Sequence, residues 1–344
     1  MNDCSGGRCA SDIWRGYCQS GVTICRELIS VPRNPLFRLL PATISLLAAL
    51  APMAQARAEG VVDRVARTGE LVLVGIPEAS PLLNLNAKGE PQGYGVAVAR
   101  RISAELSTAV GRPVSLRFQA VKDPATLGEN IATGKADLAC GVAFTWERDS
   151  QLDFSMPIGL SGLRLLAPVG RFDGAPAGLK GHRIGVVADS LAAGELLGMQ
   201  PAAIAVPFPT IGAAVAALKA GSVEGVIGDS LLLVSQARSQ GAAGLTLTPQ
   251  VPFERFAVAC LLPENDSAFR NLVNLAIARL LQGYLEGQPE AVAAIDPWIG
   301  PGSAINLPAD RIRAYFETVL LGAEALRPLP PAAASSGGAS RPGS

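Results

Sequence analysis

The sequence predicts an α/β protein built of two similar lobes. From about residue 61, apolar runs typical of buried strands alternate with segments of helical period. A faint internal repeat supports two lobes. At 134–137 and again at 221–224, a glycine ends a predicted helix and an acid then precedes a buried strand. With 49% apolar and 17% charged residues, the chain has enough apolar surface to exclude disorder as its overall state.

The predicted elements follow from the periodicity in chain order. Strands are apolar runs bounded by glycine, proline or polar residues, and helices carry an apolar stripe such as Val98, Ile102 and Leu106. The alternation of the two predicts parallel sheets covered by helices. We expect strands at 71–76, 114–118, 137–142, 184–187, 203–206 and 223–227, and helices at 94–107, 127–133 and 211–220.

Residues 1–58 are predicted to be a leader and signal peptide. An apolar run at 36–51 follows basic residues and precedes small ones, so we expect export to the periplasm with cleavage near Ala56 or Ala58. A membrane anchor is the alternative, but the run is short for a span.

The two ends of the chain differ in composition from its centre. Residues 1–30 carry four cysteines without periodicity and fit badly before a signal peptide. We therefore hypothesise that they are not translated and that synthesis begins near Val31. The segment 327–344, rich in proline, alanine, serine and glycine, is predicted to be a disordered tail.

The chain expected after cleavage keeps two cysteines, Cys140 and Cys260. Each lies at the end of an apolar, strand-like run, so a pair of buried free thiols is the simplest interpretation. A disulfide between them, which an exported protein can form, is the alternative.

Composition and motifs exclude several classes of function. The 29 basic and 29 acidic residues cancel without a basic stripe, so no nucleic-acid partner is expected. The one histidine, His182, excludes paired-histidine metal sites and most histidine-dependent triads, and we expect it to be solvated. The segment Gly93-Tyr94-Gly95 begins like a dinucleotide-binding loop, but no strand directly precedes it. No cofactor and no metal are therefore expected.

The most specific motif of the sequence lies between Gly134 and Pro157. It reads G-K-A-D-L, then T-W-E-R at 145–148, then L-D-F-S-M-P at 152–157. This pattern resembles the family 3 extracellular solute-binding proteins, the periplasmic amino-acid-binding type of ABC transporters, over about residues 61–322. Further matching segments are 93–94, 179–181, 184–186, 226–229, 256–259 and 298–301.

The resemblance implies the two-lobed periplasmic binding protein type II fold, an α/β fold with two crossover strands as its hinge. The first lobe would comprise 61–160 plus 264–322, and the second 166–255. The crossovers would lie near 162–169 and 256–262. The ligand would bind in the cleft between the lobes, which close around it by a hinge motion.

The resemblance also implies which residues contact the ligand. In the family, the arginine of the T-x-E-R segment binds a carboxylate, for which a planar two-pronged donor is suited. An acid at the end of a buried strand binds the ammonium group. The expected ligand-binding residues are Arg148, Asp229, Thr145, Ser190, Glu78 and Gly141.

Each of these assignments has a structural alternative. Arg148 could be an exposed residue at a helix start that pairs with Glu147 or Asp149. Asp229 and Ser190 could serve as helix caps, and capping does not exclude ligand contact.

Several positions depart from the family pattern. Gly95 and Ala97 stand where the first helix usually carries acids, and Ala143 stands where a hydroxyl is usual. Aliphatic residues at 81–83 replace a common aromatic one, and Trp146 is either a new wall of the cleft or surface packing. Loss of one donor to a buried carboxylate costs about 1–3 kcal/mol, so these departures predict either an altered ligand or a loss of binding.

The resemblance implies a secreted, non-catalytic, monomeric protein that captures an amino acid or a similar small polar carboxylate for an ABC permease. A transporter-less orphan that acts as an accessory or sensor, for example in a modified-peptide gene cluster, is the alternative. A third hypothesis is a dehydratase-like enzyme on the same fold, in which Glu78 and Asp229 would supply the general acid and base.

Overall fold

The computed structural model describes residues 59–325, along which helices and strands alternate. The predicted leader and signal peptide at 1–58 and the predicted tail at 327–344 lie outside the described residues. None of the helices within the described range is long and apolar enough to span a membrane. The helices are α1 Val61–Thr68, α2 Tyr94–Val110, α3 Pro124–Ala132, α4 Trp146–Asp149, α5 Leu191–Met199, α6 Ile211–Lys219, α7 Ser230–Ser239, α8 Ser267–Leu285, α9 Pro289–Ile299 and α10 Ala309–Ala325.

The strands form one large mixed sheet and two small ones. The strands are β1 Glu70–Gly75, β2 Glu78–Ala79, β3 Leu83–Leu85, β4 Pro91–Gln92, β5 Ser115–Ala120, β6 Ala139–Ala143, β7 Asp153–Phe154, β8 Gly159–Pro168, β9 Arg183–Val187, β10 Ile204–Phe208, β11 Gly225–Asp229, β12 Leu245–Thr248 and β13 Glu254–Leu262. In the large sheet the strand order is β10-β9-β11-β8-β13-β6, with β12 beside β8 and β7 beside β13.

The first lobe is built around β1, β5 and β6. Strand β1 pairs in parallel with β5, and a bridge between Leu73 and Leu138 places the start of β6 on its other side. Helix α2 buries the predicted stripe of Val98, Ile102 and Leu106 in the same core. Helices α8, α9 and α10, which follow the second crossover in the chain, complete this core.

The second lobe is a parallel sheet of β10, β9 and β11 with helices on both faces. One face packs Ile184 and Ile227 against α5. The other face packs Val226 against α6 and α7. Each strand contributes apolar side chains to both faces, as expected for parallel strands covered on both sides.

Strands β8 and β13 run side by side from one lobe to the other. They pair in antiparallel fashion, from Gly159 opposite Val258 to Leu163 opposite Glu254. Strand β8 continues beside β11, while β13 continues beside β6. These pairings confirm the two-lobed α/β fold with two crossover strands. The expectation of parallel sheets is wrong at the hinge, because a strand that leaves a lobe and a strand that returns to it run in opposite directions.

The two cysteines form a disulfide. Cys140 of β6 lies opposite Cys260 of β13, and their sulfur atoms are bonded. Both residues are buried. The interpretation as free thiols is therefore wrong, because pairing of the returning crossover with β6 places the two side chains next to each other.

Candidate functional site

Arg148 lies on the short helix α4, directly after β6. The Thr145 hydroxyl caps this helix by accepting a hydrogen bond from the backbone N–H of Arg148 at 3.2 Å. The guanidinium folds back, and its Nη1 donates a hydrogen bond to the backbone oxygen of Ala143 at 3.1 Å. The cap and this return contact hold the guanidinium beside the end of β6.

The Arg148 guanidinium is half-buried without a counter-charge. Among the residues that the structure describes, no carboxylate lies within ion-pair distance of it, including the neighbouring Glu147 and Asp149. Burial lowers the pKa of Arg148, and the negative charge of Glu147 offsets this in part. A partly desolvated cation with free donors is suited to binding an anion. The alternative of an exposed arginine paired to its neighbours does not describe this side chain.

Asp229 ends β11 and caps α7. Its Oδ1 accepts hydrogen bonds from the backbone N–H of Leu231 at 2.7 Å, from that of Leu232 at 3.3 Å and from the Ser161 hydroxyl at 2.7 Å. Its Oδ2 accepts no hydrogen bond from any residue in the described range. Burial raises the pKa of Asp229, and the three hydrogen bonds offset this in part. One oxygen therefore serves the cap, and the other is available to a ligand.

Ser190 follows the neighbouring strand of the same lobe. Because β9 and β11 are adjacent and parallel, Ser190 and Asp229 lie at the same edge of the sheet. The Ser190 hydroxyl caps α5, since it accepts from the N–H of Ala193 at 3.4 Å and donates to the backbone oxygen of Val187 at 2.7 Å. As at Thr145, the hydroxyl is engaged in capping.

The four strands β11, β8, β13 and β6 connect these positions. Asp229 pairs with Leu163 on β8, while on the far side Ala143 of β6 pairs with Val258 of β13. Asp229 therefore lies beside one edge of the pair of crossover strands. The end of β6, which leads to Arg148, lies beside the other edge. The two charges of opposite sign stand on opposite lobes.

The remaining two predicted residues have different surroundings. Glu78 is exposed on β2, and it is its backbone oxygen that accepts a hydrogen bond, from the side chain of Gln236 at 3.4 Å. Gly141 has a φ of +90°, and a Cβ there would lie 2.9 Å from the Cβ of Leu82. Leu82, itself buried, therefore covers Gly141 with an apolar side chain.

Ser161 is a residue of the site to which the sequence interpretation did not point. It lies just before the predicted start of the first crossover, and its polar side chain within an apolar strand was the available signal. Leu82 belongs to the aliphatic segment 81–83 already noted at the cleft, but its contact with Gly141 joins residues that are distant in sequence and gave no signal.

The departures at Gly95 and Trp146 now have a structural description. The backbone N–H of Gly95 donates to the oxygen of Leu82 at 2.8 Å, and a Cβ at this position would lie 2.4 Å from the oxygen of Cys140. Any side chain here would collide with backbone, including the acid usual in the family. Trp146 is 80% exposed and stacks edge-on against Phe144, so it is not a buried wall.

Replacing Gly95 with alanine is therefore expected to lower the free energy of unfolding by about 1–3 kcal/mol, since overpacking against backbone forces a shift of α2. Gly194, in the middle of α5, provides the matched control, because nothing lies within 4 Å of a Cβ placed there. Gly194→Ala should raise the free energy of unfolding by up to about 1 kcal/mol, because alanine favours the helix more than glycine does. Urea unfolding measures the free energy of unfolding of both variants. Equal changes in the two variants would contradict the close packing described for Gly95.

The lobes touch each other through α7. The Ser235 hydroxyl donates to the Ser80 hydroxyl at 2.9 Å, and the Arg238 guanidinium donates to the backbone oxygen of Ser303 at 3.3 Å. Away from this contact, His182, which was expected to be solvated, is partly exposed and forms a hydrogen bond with Glu224 at 2.8 Å.

Known protein families and solved structures include matches to this architecture. The profile of the bacterial extracellular solute-binding proteins, family 3, matches residues 72–285, more than half of the chain. None of the curated proteins matches the chain as a relative.

Solved structures share the fold at low sequence identity. An ancestral arginine-binding protein bound to glutamine is 20% identical with a TM-score of 0.58, over 67% of this chain and 98% of that protein. A solute receptor for L-cysteine of Neisseria gonorrhoeae is 21% identical with a TM-score of 0.60, over 70% and 95%. An ancestral amino acid-binding protein described as a precursor of cyclohexadienyl dehydratase is 16% identical with a TM-score of 0.60, over 70% and 100%.

Proposed function

The chain belongs to the bacterial extracellular solute-binding proteins, family 3, and on this premise we propose that it captures an amino acid or a similar small polar carboxylate between its lobes. The observation that carries the proposal is the half-buried Arg148 guanidinium without a counter-charge. Across the crossover strands, the free Oδ2 of Asp229 offers a partner for an ammonium group. A zwitterion presents the complementary pair of charges.

The other predicted residues support the ligand through their backbone. Ser190 and Thr145 use their hydroxyls as caps, so we propose that they contribute the N–H groups of their helix starts to a carboxylate. We further propose that Gly141, which packs against Leu82, contacts the ligand through its backbone atoms. Glu78 would face the entrance of the cleft.

The proposed place of action is outside the cytoplasm, with delivery of the ligand to an ABC permease. Solved structures of similar fold include a receptor for L-cysteine and an arginine-binding protein. The Cys140–Cys260 disulfide suits an oxidising compartment such as the periplasm. A permease gene beside this one would favour transport, and its absence would favour the orphan accessory or sensor.

The proposal is of a binding protein and not of an enzyme. The structural relative described as a dehydratase precursor is itself an amino acid-binding protein. Glu78, which a dehydratase would pair with Asp229 as general acid and base, is exposed to solvent on β2.

Titration calorimetry against the twenty amino acids tests the proposal, and Asp229→Asn makes the test specific. Asparagine can still cap α7, but it cannot neutralise an ammonium group. We expect at least a tenfold loss of affinity for the tightest amino acid of the panel. The melting temperature of the ligand-free variant should be equal to or above that of the wild type.

The expected stability follows from the pKa of Asp229. Burial raises that pKa in the folded state, so the ligand-free protein loses stability as the pH rises from the ordinary carboxylate range to the raised value. Asparagine at position 229 does not ionise, so the variant does not lose stability in this way as the pH rises. A variant that binds as tightly as the wild type, or a panel in which no amino acid binds, would refute the proposed function.

A further inference from the structure

A cavity lies where α10 meets the crossover strands. Its walls come from the first lobe, from both crossovers through Leu160 and Val258, and from α7 of the second lobe through Leu231. The interior volume is about 130 Å³. Neither Arg148 nor Asp229 lines it.

The cavity is apolar apart from one cation. Two tyrosines line it, but the Tyr94 hydroxyl donates to the backbone oxygen of Ile158 at 2.8 Å and the Tyr315 hydroxyl to that of Gly159 at 2.7 Å. Burial raises the pKa of both phenols, that of Tyr315 to about 12, so neither carries charge at neutral pH. Arg311, on the first turn of α10, is the one charged residue among the described residues of the lining.

The Arg311 guanidinium has no partner within the described part of the chain. It forms no ion pair there, and its backbone N–H accounts for its one hydrogen bond, to the oxygen of Pro308. Arg311 also lies beyond residues 72–285, where the family match ends.

We propose that this cavity is a second small-molecule site, which binds an apolar monocarboxylate with its body in the cavity and its carboxylate on Arg311. A cavity of about 150 Å³ lined by aliphatic and aromatic side chains accepts benzene, so this one suits a group of that size. Among the residues that the structure describes, no acid lines the cavity, so the ammonium group of an amino acid would be left unpaired there. An aryl or branched alkyl carboxylate matches the lining and a zwitterion does not.

The site is built into the hinge. Because its walls include both crossover strands and α7, its occupant contacts parts of the molecule that move when the lobes close. It contains neither charged residue of the proposed amino-acid site, but it shares Leu82 with that site, so the experiment must distinguish the two.

Phenylacetate is the probe, and titration calorimetry is the measurement. We expect it to bind the wild-type protein, and Arg311→Gln to weaken binding tenfold or more, because the charge-assisted hydrogen bonds are lost. Arg311 is exposed, so this variant should fold. Arg183→Gln is the matched control, since Arg183 is an exposed arginine outside the cavity lining, and it should leave phenylacetate affinity unchanged.

Two further variants locate the probe. Leu307→Phe, which fills the cavity from a half-buried position, should abolish phenylacetate binding. Arg148→Ala should leave that binding intact. Loss of phenylacetate binding in Arg148→Ala, equal binding in Arg311→Gln, or no binding to the wild type would each overturn the second site.

Discussion

Replacing Arg148 with glutamine is expected to weaken binding of the tightest amino acid by about a hundredfold. Glutamine keeps part of the side-chain length but cannot offer two parallel charged donors to a carboxylate. The guanidinium has no protein carboxylate to neutralise within the described residues, so its removal leaves no orphaned charge behind. The ligand carboxylate alone then loses its partner, and the loss appears in affinity.

The stability of the variant separates binding from folding. The Arg148 guanidinium makes one hydrogen bond to protein, to the oxygen of Ala143. Its loss should change the free energy of unfolding of the ligand-free protein by about 1 kcal/mol or less. Arg148→Lys should bind with intermediate affinity, because it keeps the charge but loses the planar fork.

A matched control comes from an arginine away from the cleft. Arg117 of β5 is partly exposed and pairs with Glu70, so Arg117→Gln removes an arginine and a surface ion pair of small energetic effect. Its affinity for the same amino acid should equal that of the wild type. If Arg148→Gln also bound as tightly as the wild type, Arg148 would have no part in recognition.

Much of the fold could be predicted because the relevant signals are local. The apolar stripe from Val98 to Leu106 predicted α2, which the structure places at Tyr94–Val110. The pairing of β8 with β13 gave no such signal, since nothing within either strand records which distant strand lies beside it. The disulfide was misjudged for the same reason, because Cys140 and Cys260 become neighbours only through that arrangement.

The candidate site divides along similar lines. The motif around Arg148 and the strand-end position of Asp229 were visible in sequence. The hydrogen bonding of Asp229 was not visible, because it depends on tertiary packing. Its Oδ1 accepts a hydrogen bond from Ser161, whereas its Oδ2 accepts none from the described residues. The contact of Leu82 with Gly141 also depends on tertiary packing. Arg311 gave no signal, because what singles it out is the apolar cavity around it.

Removal of the disulfide is expected to cause the largest change in stability. Cys140 and Cys260 are 120 positions apart, and in the chain-entropy account a cross-link that closes a loop of this length stabilises the folded state by about 5 kcal/mol. Protein domains have free energies of unfolding of roughly 5–15 kcal/mol, so the cross-link would account for a large part of the stability. The double variant Cys140→Ala/Cys260→Ala should therefore unfold at a much lower urea concentration.

Reduced wild-type protein separates the cross-link from the packing of the sulfur atoms. Both cysteines lie in the buried core, so alanine also removes packed atoms, whereas reduction keeps them. Unfolding in urea with dithiothreitol should move the wild-type midpoint most of the way toward that of the double variant, and the double variant should not respond to the reductant. Since the covalent bond acts mainly on the unfolded chain, the folded proteins should bind amino acids alike at low urea. A double variant as stable as the oxidised wild type would show that the connection between β6 and β13 holds without the covalent bond.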